Sequence, residues 1–308
     1  MRNPVALAAF VSCLLCSAPA ASQPEASVPF AFVDNRMVVE CTIDGKGPFA
    51  LIVDTGSPDM VVTPETARAL GIAVRYAGSA SGAGNARVRI GATKLATFAL
   101  GSLTFRKLDA SVLDLTEIRT KLGFSRLDGI VGYPILKRYA VVVDPDKRTL
   151  TFARSAPAVP PDATTTSFKG VIPEIPATID GIATTAIVDT GDRSSLTLFG
   201  PFAKAHAFYD RYPSKPHLVT GYGLGGPVYG DVFTLPSIDL FGTHVQNVVT
   251  RASRQTGGVF MSTQQGGSVG EGVLKRFNLI YDYPNKRIIA WRSAYFDVPD
   301  RFVPPGSH

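Results

Sequence analysis

At 308 residues the chain has room for about two domains and a sizeable core. Its apolar share, 45%, is ordinary for a globular protein, while its charged share, 18%, falls below the usual ~25%. The formal charge of +6 is spread without a block of five or more like charges, which describes a solvated surface and argues against a nucleic-acid partner.

The N-terminus carries its own pattern. Arg2 precedes an apolar stretch over 5–16, and Ala18-Pro19-Ala20 follows as an A-x-A cleavage site. That layout predicts a secretory signal peptide over 1–20, too short to be a stable membrane span. Export to the periplasm or outside follows. A lipoprotein anchor needs a small-residue box before Cys13 or Cys16, and the Phe10-Val11-Ser12-Cys13 version is poor, so anchoring stays a minor alternative. Cleavage leaves Cys41 alone in an apolar-rich strand pattern, as a buried thiol rather than a nucleophile.

Abundant glycine and proline, and the lack of long Ala/Glu/Lys/Leu runs, lean towards strands and turns. Residues 21–27 are small, polar and expected to be unstructured, and a strand pattern begins at Val28. A strand over 37–43 runs into a tight turn at Asp44-Gly45-Lys46-Gly47. The strand 49–53 follows and ends abruptly in Asp54-Thr55-Gly56-Ser57. A short helix is expected next, with Thr63 as cap, Pro64 at its first position and Gly71 at its end. A glycine-rich stretch over 78–85, flanked by strand-like runs at 87–90 and 98–105, suits a mobile hairpin tip or an ordinary exposed turn. It matches neither dinucleotide nor Walker phosphate loops. The half closes with 127–139 and a hairpin over 140–152.

Residues 155–166 have the composition of a linker. The order then repeats. A strand over 172–179, a turn at Asp180-Gly181 and a strand over 184–188 lead to Asp189-Thr190-Gly191-Asp192. A short helix is expected near 201–206, a glycine-rich stretch returns at 221–226, and a closing segment over 266–277 precedes a hairpin ending at Trp291. The two Asp-Thr-Gly copies lie 135 positions apart and the two Leu-Lys-Arg-aromatic copies 138, so the register holds across the chain. The implied organisation is a duplicated β-rich unit: lobes at 28–154 and 167–295, and a tail at 296–308.

Each Asp-Thr-Gly places a carboxylate at the end of a buried strand, which is costly unless something holds it. If the lobes bring Asp54 and Asp189 together, the two cannot both be ionised and share one proton over a range of acidic pH. The ionised member then takes a proton from water while the protonated member donates to a carbonyl oxygen. This chemistry needs no metal and no cofactor. Gly56 and Gly191 let backbone amides approach the acids, and Thr55 and Thr190 can bond across the lobe junction.

Two Asp-Thr-Gly motifs, each followed by a glycine-rich hairpin and an apolar-apolar-Gly segment, resemble the aspartic protease clan over about 28–291. The unit is closest in style to retropepsin-like domains, and the two-lobed plan is also that of pepsin-like enzymes. The resemblance implies an all-β, two-lobed acid-protease fold, each lobe a small closed β-barrel-like unit with one or two short helices. It implies an aspartic endopeptidase acting on peptide or unfolded protein as a monomer, with Asp54 and Asp189 catalytic in a cleft between the lobes. Thr55 and Thr190 would form a cross-lobe grip. Ile130-Val131-Gly132 and Ser268-Val269-Gly270 would pack behind the acids. Gly82, Gly84, Gly223, Gly225 and Gly226 would lie in flaps over the cleft.

Two departures set the second copy apart. Asp192 stands where the family has Ser, Thr or Ala; the first copy has Ser57, whose hydroxyl is expected to bond Asp54. A third carboxylate beside the pair would raise its pKa values or need neutralising, for which Arg193 is the neighbouring candidate. Ser268 replaces an apolar residue, so looser packing is expected there. The rival reading is a peptide-binding protein on the same scaffold, its catalysis impaired by Asp192. A zinc hydrolase lacks its His-Glu-x-x-His, and a serine hydrolase its Gly-x-Ser-x-Gly elbow.

Overall fold

The computed structural model describes residues 24–298 and 300–305. The leader at 1–20, with Cys13 and Cys16, lies outside the described residues. No helix among the described residues is long and apolar enough to cross a membrane.

Each half builds a closed six-stranded barrel. In the first, strands Arg36–Ile43, Lys46–Val53, Gly129–Val131, Val61–Val62, Leu103–Val112 and Val88–Leu100 follow one another around the barrel. Pairing of Ile43 with Phe98 closes it. In the second, Glu174–Ile179, Ile182–Val188, Gly267–Val269, Leu196–Leu198, Thr243–Ser253 and Gly226–Leu240 follow in the same order, closed by Ile179 against Ile238. Closure removes the exposed edges that an open sheet would leave.

The register repeats as well. Ile52 pairs in parallel with Ile130, and Ile187 with Ser268. Tight two-residue turns set these registers. Asp44-Gly45 and Asp180-Gly181 have positive φ at both positions (50° and 74°; 52° and 77°), the geometry that matches the twist of paired strands.

A third sheet joins the halves. Its order is Ala26–Pro29, Thr149–Ala153, Ala140–Asp144, Phe277–Asp282, Arg287–Arg292, Thr164–Ser167. The first three strands come from one half and the last three from the other, and Val141 pairs with Tyr281 at the seam. The hydrophobic core runs through both barrels and this sheet without a break, from Phe98 and Leu51 through Val141 and Tyr281 to Ile175 and Leu235.

Several expectations are corrected by this arrangement. Strand structure starts at Ala26, not Val28, because Ala26 pairs with Phe152 on the sheet edge. The link between the halves ends early: Thr164–Ser167 forms the far edge strand against Arg287–Arg292. The run 98–105 is not one strand but spans a hairpin turn at Gly101-Ser102. The helices stand where expected. Pro64–Leu70 is capped by the Thr63 hydroxyl accepting from the Thr66 amide at 3.1 Å and stopped by Gly71 at φ 75°; its counterpart is Gly200–Ala205.

Candidate active site

The strands Lys46–Val53 and Ile182–Val188 end side by side, and the loops after them face each other. The backbone amide of Asp54 donates to Val131 O and that of Asp189 to Val269 O, both at 3.0 Å, so each closing strand fixes the first residue of its loop. The threonines then exchange bonds across the junction. Thr55 N donates to Thr190 Oγ1 and Thr190 N to Thr55 Oγ1, both at 3.0 Å. Each hydroxyl donates onward to the opposite strand end, Thr55 to Val188 O and Thr190 to Val53 O, both at 2.7 Å. Both threonines are buried, so all four bonds are shielded from water.

This grip sets the carboxyls of Asp54 and Asp189 close together, near enough that each bears on the other's protonation. The amide of Gly56 donates to Asp54 Oδ1 and that of Gly191 to Asp189 Oδ1, both at 2.8 Å. Each glycine also lies against the other half's acid. A Cβ on Gly56 would sit 2.5 Å from Asp189 Cγ, and one on Gly191 2.4 Å from Asp54 Cγ, so no side chain fits at either place.

Burial pushes both carboxyls above the ordinary carboxylate range. For Asp54 it is opposed by the hydrogen bond with Asp189, the Gly56 amide and the Arg36 charge. For Asp189 burial is joined by the charges of Asp54 and Asp192, which hold it well above that range. The pair therefore titrates as a unit and carries one proton where an isolated carboxylate would carry none.

The flanking residues behave differently from expectation. The Ser57 hydroxyl does not bond the Asp54 carboxyl; it donates to Asp59 O at 2.9 Å, and only the Ser57 amide turns to Asp54, donating to its backbone oxygen at 3.3 Å. Arg193 does not neutralise Asp192, because it turns to Asp34, with Nη2 2.7 Å from Oδ1. Asp192 is instead held by Arg251, a residue 59 positions away, with Nη2 to Oδ1 at 2.9 Å. Thr197 Oγ1 donates to its other oxygen at 2.7 Å, and the Ser194 amide donates to Oδ1 at 2.9 Å. Burial opposes ionisation of Asp192, but Arg251 and these donors prevail and hold its carboxyl below the usual range. Ser268 is wholly buried, so its loop is not looser; the consequence of the substitution is a hydroxyl with no hydrogen-bond partner.

A cleft of about 370 Å³ opens above the two acids. Ile52, Val61, Ile90, Leu113, Leu115, Ile118 and Ile130 give it an apolar wall in the first half. Two hairpins roof it. Gly82 and Gly84 lie in the tip between Arg75–Ala80 and Val88–Leu100, while Gly223, Gly225 and Gly226 lie at the turn joining Lys215–Gly223 to Gly226–Leu240. The tips meet: Gly84 N donates to Leu224 O at 2.9 Å and Ala86 N to Gly225 O at 3.0 Å. Gln255 Nε2 donates to Ala83 O at 2.8 Å, and Asn85 Oδ1 accepts from the amides of Thr256 and Gly257. The glycines serve this close backbone approach rather than exposure alone.

Sequence reasoning missed Arg36, Asp34, Arg251, Thr197 and Glu271. Arg36 Nε donates to Gly191 O at 2.6 Å, and both Arg36 and Arg193 grip Asp34 in the turn before the strand Arg36–Ile43. Arg36 reaches Gly191, 155 positions away, Asp34 meets Arg193, 159 positions away, and Arg251 reaches Asp192, 59 positions away, so no local pattern marks these pairings. Cys41 is buried, as expected, and burial pushes its thiol up to about 12. Among the described residues no cluster of His, Cys, Asp and Glu is arranged to hold a metal ion.

Residues 39–135 match the family model of the aspartyl proteases. A comparison with curated proteins finds no match. Among solved structures, the chain is similar to an aspartic proteinase from Irpex lacteus, with TM-score 0.54 and 17% identity, covering 89% of this chain and 99% of that one. It is also similar to a retropepsin-like aspartic protease from Rickettsia conorii, with TM-score 0.31 and 18% identity, covering 42% of this chain and 89% of that one. The first half thus matches the aspartyl protease family, and the chain as a whole has the two-lobed fold of the aspartic proteases.

Proposed function

We propose that the chain is an aspartic endopeptidase that hydrolyses peptide bonds with Asp54 and Asp189 as its catalytic pair. The observation that carries this reading is the approach of two half-buried carboxyls at pseudo-symmetric strand ends, each packed against the glycine that follows the other, on the floor of a roofed cleft. A water held between the acids and the substrate carbonyl loses a proton to the ionised carboxyl. Its oxygen bonds to the carbonyl carbon, and the carbonyl oxygen takes a proton from the other carboxyl. The neutral diol then collapses: one hydroxyl returns a proton to the carboxylate that gave its own, and the carboxyl that took the water's proton passes it to the leaving nitrogen as the carbon–nitrogen bond breaks. Aspartic protease dyads are the well-known illustration of such shared-proton chemistry, and the contact between Asp54 and Asp189 supports the same reading here.

An extended peptide or unfolded protein segment suits the cleft, with an apolar side chain against Ile52, Val61 and Leu113. The rival reading, a peptide binder whose catalysis Asp192 impairs, loses support because Arg251 pairs with that carboxylate. Both acids belong to one chain, so we read the active form as a monomer. The leader-like segment supports export, and N-terminal sequencing of the secreted fraction tests cleavage after Ala20.

Cleavage of a denatured protein at mildly acid pH, blocked by a pepstatin-type mimic, tests the main reading. Asp54→Asn and Asp189→Asn should each abolish turnover, by a factor of about 10³ or more. Full activity in either variant refutes the assignment.

A further inference from the structure

The two Asp-Thr-Gly copies differ in one respect that reaches the chemistry. Ser57 and Asp192 occupy matching places, three residues after their acids. Ser57 brings no charge. Asp192 brings a buried anion, and its own amide donates to Asp189 Oδ1 at 3.1 Å. The support for that anion also exists on one side only. Strand pairing matches Thr197 to Val61 and Arg251 to Ser111, because Thr197 pairs with Arg251 and Ser268 where Val61 pairs with Ser111 and Ile130.

In the second half these residues close a satisfied network. Arg251 Nη2 donates to Asp192 Oδ1 at 2.9 Å and Nε to Thr197 Oγ1 at 2.7 Å. Thr197 Oγ1 in turn donates to Asp192 Oδ2. Arg251 Nη1 donates to Thr220 Oγ1 at 3.4 Å, and its guanidinium lies over the Phe260 ring at 5.2 Å. The network keeps Asp192 charged. Thr197 and Thr220 anchor the cation, while the anion sits one loop turn from Asp189.

We propose that Asp192, held by Arg251, is a positioning residue that fixes the shared proton of the pair on Asp189, making Asp189 the acid and Asp54 the base. This rests on the function proposed above. Between two equivalent carboxyls the proton has no preferred seat; a buried anion beside one of them breaks the tie.

The other groups facing Asp189 do not reverse it. Arg251 attracts the charged form of Asp189, but the Asp192 carboxylate acts on it more strongly in the opposite sense. Arg36, from the strand Arg36–Ile43, favours the charged form of Asp54. Tyr281 and Tyr283, from the joining sheet and the turn after it, are buried with unpartnered hydroxyls, pushed up by burial and hence neutral. Glu271, at the first position of the short helix behind the loop, is pushed up to about 8 by burial and is uncharged in acid. The amides of Gly191 and Asp192 favour an ionised Asp189, and those of Gly56 and Ser57 do the same for Asp54, so the dipoles balance and the full charge of Asp192 decides. On substrate binding, Asp189 gives its proton to the carbonyl oxygen and Asp54 takes one from the attacking water. The pair ends with its charge on Asp189, and the diol is neutral.

The test is the pH profile of kcat/KM on a fluorogenic peptide with apolar residues around the cleaved bond. Asp192→Asn removes the anion but leaves Arg251 buried without a counter-ion. The double variant Asp192→Asn with Arg251→Met removes both charges and keeps the site neutral. The proposal expects the alkaline limb to move down by about one pH unit in the double variant and further in Asp192→Asn, where Arg251 stays charged and unpaired, with the acid limb little changed. An unmoved alkaline limb in a double variant that melts like the parent overturns it, as does a lower kcat with no shift of either limb. Inert Asp54→Asn and Asp189→Asn alongside an unmoved limb would sink only this inference. Active Asp54→Asn or Asp189→Asn would sink the function on which it rests.

Discussion

Replacing Glu271 by glutamine should make the protein less sensitive to pH rather than simply less stable. Glu271 opens the helix Glu271–Leu274, its amide donates to Asp192 O at 2.8 Å, and its Oε2 is buried with no hydrogen-bond partner. Burial pushes its carboxyl from 4.5 to about 8, with Lys275 pulling weakly the other way. A folded-state value above the unfolded one means that the native state binds the proton more tightly. The stability this contributes is fully present below pH 4.5 and is lost progressively as the pH rises to about 8. At about 1.36 kcal/mol per unit, the loss between pH 4.5 and 7 is roughly 3 kcal/mol. Glutamine keeps the shape and the neutral state at every pH. Urea or thermal denaturation of both proteins at pH 4 and pH 7 measures the difference. Near-equal stability is expected at pH 4, and an advantage of roughly 3 kcal/mol for Glu271→Gln at pH 7. If the two proteins lose stability in parallel between these values, Glu271 is not the buried titrating group and the reasoning fails.

Three other substitutions probe the site. Thr55→Val deletes a donor to Val188 O and an acceptor for Thr190 N, leaving two buried backbone groups unpaired; denaturation should register a loss of roughly 2–4 kcal/mol, and a loss under about 0.5 would show that the grip is not an energetic joint. Gly56→Ala places a methyl group 2.5 Å from Asp189 Cγ, so turnover should fall by about 100-fold or more in a protein that still folds, and wild-type kcat would contradict the close approach. Gly84→Ala puts a Cβ 2.1 Å from the Gly225 carbonyl carbon and prevents the tips from meeting. A fall of about tenfold in kcat/KM with an unchanged melting curve is expected, and full activity would mean that the tips need not join during turnover.

The barrels and the site loops were legible because their signals are local. An apolar strand stopped by Asp-Thr-Gly, a Thr63 cap with Pro64 behind it, and Asp-Gly turns each carry their conformation in a few residues. The repeat added the long-range information that Asp54 and Asp189 belong together. What lay hidden depends on which strands become neighbours. Arg251 reads as one cation in an ordinary strand, and only the parallel pairing of Thr243–Ser253 with Leu196–Leu198 carries it to Asp192. Arg193 stands next to Asp192 in sequence yet serves Asp34, because the loop sends the two side chains in different directions. The threonine-rich end of the expected linker became a strand because Arg287–Arg292 offered an open edge.

The sheet shared by the halves has a bearing on how substrate enters and on how the halves differ. Its seam, from Ala140 against Asp282 to Val143 against Leu279, stitches the base of the molecule with backbone hydrogen bonds, so the barrels have no free swing about the cleft floor. On the proposed function, admission of a peptide would fall to the roof, where a handful of backbone and amide bonds would have to part. The same seam lies within a single polypeptide. Dilution cannot separate its two sides, and each side can acquire a residue without its twin acquiring it too. An anion such as Asp192 in two identical subunits would appear twice and its bias would cancel; encoded once, it gives the two acids separate identities.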